Sequence, residues 1–129
     1  MPRDKAKARE CSRRYAQRHR EKRNAYSKVY YKKHKQEFLE RQTISRQRMK
    51  QEVFSHYSKG IPVCAHCGET ELVVLCLDHI NNDGNAQRKN TGVHGGYDFY
   101  RRLKREGYPE GYQVLCFNCN MRKSFKGEI

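Results

Sequence analysis

Apolar residues are sparse along this chain and gather in one place. Six in succession, Leu72 to Leu77, close abruptly on Asp78-His79. The run predicts a strand over Leu72 to His79. Alternation sends Val73, Leu75, Leu77 and His79 to one face and Val74, Cys76 and Asp78 to the other. A second short strand is predicted over Gln113 to Cys116, and a short final helix over Cys119 to Lys126. Between the strands, Asp98 to Glu106 reads as a helix, with Phe99 and Leu103 on one face and Gly107 where a C′ glycine belongs. Val63 to Gly68 reads as a knuckle turn. Asn81-Asn82-Asp83-Gly84-Asn85 reads as a turn of residues that tolerate left-handed conformations.

Upstream the pattern changes. Arg9 to Glu40 holds no glycine or proline and favours helix. Its large side chains, Tyr15, Tyr26, Tyr30, Tyr31 and Phe38, are too spaced out for a core-facing stripe. Met49, Val53, Phe54 and Tyr57 do recur at helical spacing, which suits that short segment for docking against the C-terminal domain. Lys59-Gly60-Ile61-Pro62 breaks the pattern. The expectation is an α+β chain: a helical arm over residues 1–58 and a small domain over residues 59–129.

Charge sharpens the division. The net charge is +14, and residues 1–58 carry 18 Lys and Arg against 6 Asp and Glu. Residues 59–129 carry 10 against 8. Such one-sided charge points to a polyanion, with nucleic acid the default partner. A membrane is disfavoured as partner, because the basic stretches lack a leucine and phenylalanine face and no apolar run is long enough to span a bilayer. Met1-Pro2-Arg3-Asp4-Lys5 shows no apolar h-region, so a cytoplasmic protein of a bacterial or phage-infected cell is expected. Thiols stay reduced in that compartment, and six cysteines then point to metal rather than disulfides.

Four of them form two matched pairs, Cys64-x-x-Cys67 and Cys116-x-x-Cys119, separated by 48 residues. Two such loops can wrap one Zn²⁺ tetrahedrally, and four thiolates leave no position for a substrate, so this metal would be structural. A domain of about 70 residues rarely builds a self-sufficient core. Six buried strand side chains contribute about 1.5–3 kcal/mol each before entropy is subtracted, whereas a structural zinc contributes about 10–16 kcal/mol in small finger peptides. Cys76 is expected to pack inside the strand, Cys11 has no partner in sequence, and His66 is expected to point away from the metal.

Asp78-His79 is an odd close to a buried strand, since either group is costly to bury without a partner. A divalent cation and a phosphodiester would supply partners. A neutral His79 can take a proton from water near neutrality. Asp78 can hold a hard cation through oxygen, and Asn120 can add a second oxygen. Lys123, one helical turn after Asn120, either touches phosphate or sits in solvent. Arg88, Lys89, Arg101, Arg102, Lys104 and Arg105 make a second basic patch, and His94 between glycines reads as a loop residue.

Leu77-Asp78-His79-Ile80-Asn81-Asn82-Asp83-Gly84, followed by Tyr112-Gln113-Val114-Leu115-Cys116-Phe117-Asn118-Cys119-Asn120, resembles the phage-type HNH endonucleases. These are His-Me finger, or ββα-metal, nucleases, and the subgroup closest in pattern carries four zinc cysteines, like the endonuclease VII family. The resemblance covers roughly residues 61–126. It implies that His79 is the general base, that Asp78 and Asn120 hold one catalytic Mg²⁺ or Mn²⁺, and that Cys64, Cys67, Cys116 and Cys119 hold Zn²⁺. It also implies cleavage of DNA to 5′-phosphate and 3′-hydroxyl ends. The pattern departs at Gly111, where many members have an asparagine that orients the histidine; either another group, such as Asn81 or Asn82, takes that role here, or activity is reduced. Cutting both strands would favour a homodimer. The alternative expectation is a non-catalytic zinc-knuckle protein that binds nucleic acid and needs neither Asp78 nor His79.

Overall fold

The computed structural model describes residues 4–127; the first three residues of the Met1–Lys5 stretch lie outside them. Seven elements occur in order: α1 (Lys5–Arg18), α2 (Arg20–Tyr57), β1 (Leu75–His79), α3 (Gly84–Thr91), α4 (Tyr97–Arg105), β2 (Tyr112–Cys116) and α5 (Phe117–Lys126). The chain divides into two compact units, with the boundary between Gln42 and Thr43. That boundary lies well before the Lys59–Pro62 turn, because residues 43–57 carry apolar side chains that belong to the second unit.

The first unit is helical and exposed. Asp4 caps α1, its carboxylate accepting from Ala6 N at 3.0 Å, and α1 buries no side chain. The helix predicted from Arg9 to Glu40 forms as two, α1 and α2, meeting at His19. His34 departs from helical geometry within α2. Aromatic rings one helical turn apart associate on this surface: Tyr15 with His19 at 4.3 Å, Tyr26 with Tyr30 at 6.1 Å, and Tyr30 with His34 at 4.3 Å.

The second unit contains the core. Val53 and Phe54 at the end of α2 are fully buried, with Leu75 of β1, Phe99 and Leu103 of α4, and Val114 and Leu115 of β2. Each such side chain contributes about 1.5–3 kcal/mol when removed from water. The two strands pair antiparallel, Leu75 opposite Cys116 and His79 opposite Tyr112. The predicted strand is shorter at its start: Leu72, Val73 and Val74 form a turn in which Val74 N donates to Glu71 O and Leu75 N to Leu72 O. Apolar runs do not distinguish a strand from a buried turn, so periodicity leaves this boundary open.

The long connection between the strands is more ordered than the sequence suggests. Residues 84–91 form α3 although Gly84, Asn85 and Asn90 are weak helix formers. Helix α4 ends as predicted, with Gly107 left-handed at φ 75°. Tyr108 N donates to Leu103 O and Gly107 N to Lys104 O, a Schellman closure. The result is a mixed, mainly helical unit with one small sheet, in which α5 comes directly after β2. Among the described residues no helix is long and apolar enough to cross a membrane.

Candidate active site and cysteine cluster

The cysteine pairs come from two local structures. Around Cys64, Gly68 N donates to Cys64 O at 3.0 Å and Cys64 N to Glu69 O at 2.8 Å, closing the knuckle. Ala65 N donates to Val114 O at 2.9 Å, which pins the knuckle to β2. Cys116 ends β2 and caps α5, its sulfur accepting from Cys119 N at 3.4 Å. All four sulfurs therefore lie within 4.8 Å of one another, Cys67 and Cys116 at 3.6 Å. Sulfurs at the corners of a zinc-thiolate tetrahedron are about 3.8 Å apart. The cluster is thus positioned to hold a metal ion such as zinc.

Local electrostatics favour a thiolate at one corner. Burial pushes the Cys64 thiol up, but backbone N–H groups of Cys67, Cys116 and His66 outweigh it and bring it down to about 6. Cys119 is pushed up to about 12, first by burial and then by the other three sulfurs. A cation among them would remove that conflict. His66 does not point away as expected: its Nδ1 lies 3.3 Å from Cys119 Sγ. In a knuckle the backbone curls, so position between two ligands does not fix which way a side chain turns.

His79 ends β1 on the face shared with Tyr112. Its ring packs on Tyr112 at 4.9 Å and Phe99 at 5.9 Å. His79 Nε2 meets Gln87 Oε1 at 2.6 Å, and the Gln87 amide nitrogen donates to the Tyr112 hydroxyl. With the amide oxygen as acceptor, Nε2 carries the proton and Nδ1 keeps its lone pair. A Cβ at position 84 would lie 3.0 Å from Nδ1 and 3.1 Å from Cε1, so glycine is what lets α3 pack this closely on the ring. The orienting group is therefore Gln87, not Asn81 or Asn82; the Asn82 amide donates instead to Gly127 O at 3.3 Å.

Asp78 lies on the opposite strand face, beside Gln113, whose Nε2 donates to Oδ2 at 2.9 Å. Lys123 Nζ donates to the same oxygen at 2.5 Å. Lys123 is buried, at 5% exposure, so neither a solvated nor a phosphate-touching lysine describes it. Asn120 sits one turn earlier on α5, where its side chain favours the thiolate form of Cys76, and the Cys76 thiol donates to Leu115 O at 3.3 Å. Burial raises the Cys76 thiol, which is half-buried in the cleft wall rather than packed in the core.

Asp78, His79 and Asn120 line one cavity of about 610 Å³, together with Gln87, Arg88 and Lys123. Of the expected basic patch, Arg88 bonds Gly84 O and Asn85. Arg102 pairs with Glu106 at 2.7 Å and Lys104 with Glu52 at 2.7 Å. These three are engaged locally, and Arg101 lies over the Tyr97 ring. His94 is exposed in a loop, and Cys11 is exposed on α1. Gln87 escapes sequence reasoning because α3 has no apolar period; the glycine at position 92, left-handed at φ 65°, is the one local signal of a helix ending there. No protein-family model matches the chain, and comparisons with curated proteins and with solved structures give no match.

Proposed function

We propose that the chain is a metal-dependent DNA endonuclease of the HNH type, with Cys64, Cys67, Cys116 and Cys119 holding a structural Zn²⁺. The observation that carries the reading is the meeting of Asp78, His79 and Asn120 in one cleft, beside the four-sulfur cluster and with His79 Nε2 already engaged. Three chemically different groups on two elements converge where a strand end and a helix start adjoin.

The division of labour comes from the residues. Gln87 holds the imidazole by Nε2, so Nδ1 is the atom left to take a proton from water. Packing on Phe99 and Tyr112 restricts the ring plane. Asp78 and Asn120 present oxygen donors suited to a hard cation, Mg²⁺ or Mn²⁺. Such a cation, when bound, supplies charge to offset that on the phosphate and the leaving oxygen. The basic first unit contributes DNA affinity through phosphate contacts.

The test is cleavage of supercoiled, linear and branched DNA with Mg²⁺ or Mn²⁺. His79→Ala is expected to lower the rate by roughly 10²–10⁴ while leaving the circular dichroism spectrum unchanged. The rival reading, a zinc-knuckle protein that only binds nucleic acid, draws on Lys123 sitting against Asp78. It prevails if wild type and His79→Ala leave every substrate equally intact while both still bind DNA.

A further inference from the structure

Among the described residues, Lys123 is the buried residue that carries charge. An ammonium has three N–H donors and no acceptor. Here they meet three oxygens: Asp78 Oδ2 at 2.5 Å, His79 O at 2.6 Å and Ile80 O at 3.1 Å. The turn after β1 makes this possible. Ile80 N donates to Gly111 O, and Asn82, left-handed at φ 58°, donates its N–H to His79 O. The chain bends there so that two successive carbonyls face α5. A carboxylate and two carbonyls around one positive centre is the donor set that a hard cation would select.

We infer that Lys123 is a positioning residue that shares Asp78 with the exchangeable cation and so sets how weakly that cation is held. This rests on the endonuclease reading. Lys123 and Gln113 both engage Oδ2, so Oδ1 is the Asp78 oxygen offered to a further ligand. A fixed positive charge against the same carboxylate opposes a second cation, and little solvent screens it. The bonds to His79 O and Ile80 O do separate work: they hold the backbone that carries the base. Lys123 thus acts on cation affinity through its charge and on turnover through its hydrogen bonds.

Mn²⁺ titration of the zinc-loaded full chain, monitored by electron paramagnetic resonance, reads affinity without cleavage. Lys123→Met is expected to bind Mn²⁺ about tenfold or more tightly than wild type, with slower single-turnover cleavage. Lys123→Arg keeps the charge and is expected to stay within about threefold of wild-type affinity. Should Lys123→Met fail to fold, Lys123→Gln removes the charge, keeps an amide donor and carries the same expectation. Unchanged or weaker Mn²⁺ binding in a folded, uncharged variant overturns the inference. Asp78→Asn separates the two levels. If it leaves wild-type Mn²⁺ binding untouched, the endonuclease reading and this inference both fall. If it abolishes binding but Lys123→Met changes nothing, this inference alone falls.

Discussion

Gln87 shows how much one side chain from an unexpected element can decide. The HNH resemblance calls for an asparagine at position 111, where this chain has a glycine with φ 100° and nothing to offer the imidazole. Gln87 reaches His79 from α3 instead, its amide bridging the imidazole and the Tyr112 hydroxyl. Partners that orient a reactive imidazole are worth about 10–100-fold when they orient metal ligands. A similar loss of turnover, with the KM for DNA unchanged, is expected for Gln87→Leu. Gly84→Ala tests the packing of α3 against the ring. Its methyl would sit 3.0 Å from Nδ1, and cleavage is expected to fall at least as far. Single-turnover rates of both variants check this. Wild-type rates in Gln87→Leu would show that the imidazole needs no such support.

At the level of elements, the sulfur cluster joins the knuckle, the end of β2 and the start of α5. The same Cys116 terminates the strand, caps the helix and contributes one sulfur of the cluster. The buried core has ten residues, three of them cysteines of this cluster, so the metal is expected to carry much of its stability. Stoichiometric zinc, removed by a strong chelator, should take with it the strand and α5 signals by circular dichroism. The pH dependence has a definite sign. The thiolate is the binding form, and Cys64 is held down to about 6. Cys119 is pushed up to about 12, so binding releases protons and zinc affinity is expected to weaken steadily as pH falls. A colorimetric zinc-release titration measures this. Retained secondary structure in the chelated protein would assign stability to the small core instead.

For the whole molecule, the division between units matters more than the total charge. Residues 1–42 hold 15 Lys and Arg against 5 Asp and Glu. Residues 43–57 belong to the compact second unit, where Val53 and Phe54 are fully buried. Deleting residues 1–42 is expected to leave the second unit folded while weakening DNA affinity and flattening its dependence on salt. A protein that neutralises six to ten phosphates loses about 10³–10⁵ in affinity between 50 and 200 mM salt. Deleting residues 1–58 is expected to unfold the remainder, because it removes two fully buried side chains. Fluorescence anisotropy across salt concentrations, with thermal melts of both truncations, checks both statements. An unchanged salt slope after the shorter deletion would mean that the first unit does not track phosphate. The exposed tyrosines there, one turn apart, are suited to stacking on bases.

By itself the sequence determined the pairing of the four clustered cysteines, the two strands, the Gly107 helix end and the placing of Asp78 and His79 on opposite strand faces. Each depends on spacing or on one residue's backbone preference, and such signals are local. Tertiary structure decided the rest. Helix α3 forms although it opens on Gly84 and Asn85, with Gly84 lying under His79. Lys123 is buried because oxygens thirty or more residues away in sequence surround its amine. The turn of His66 toward Cys119 and the membership of residues 43–57 in the second unit are of the same kind. These features depend on which surfaces meet, and contacts between distant segments leave no period along the chain.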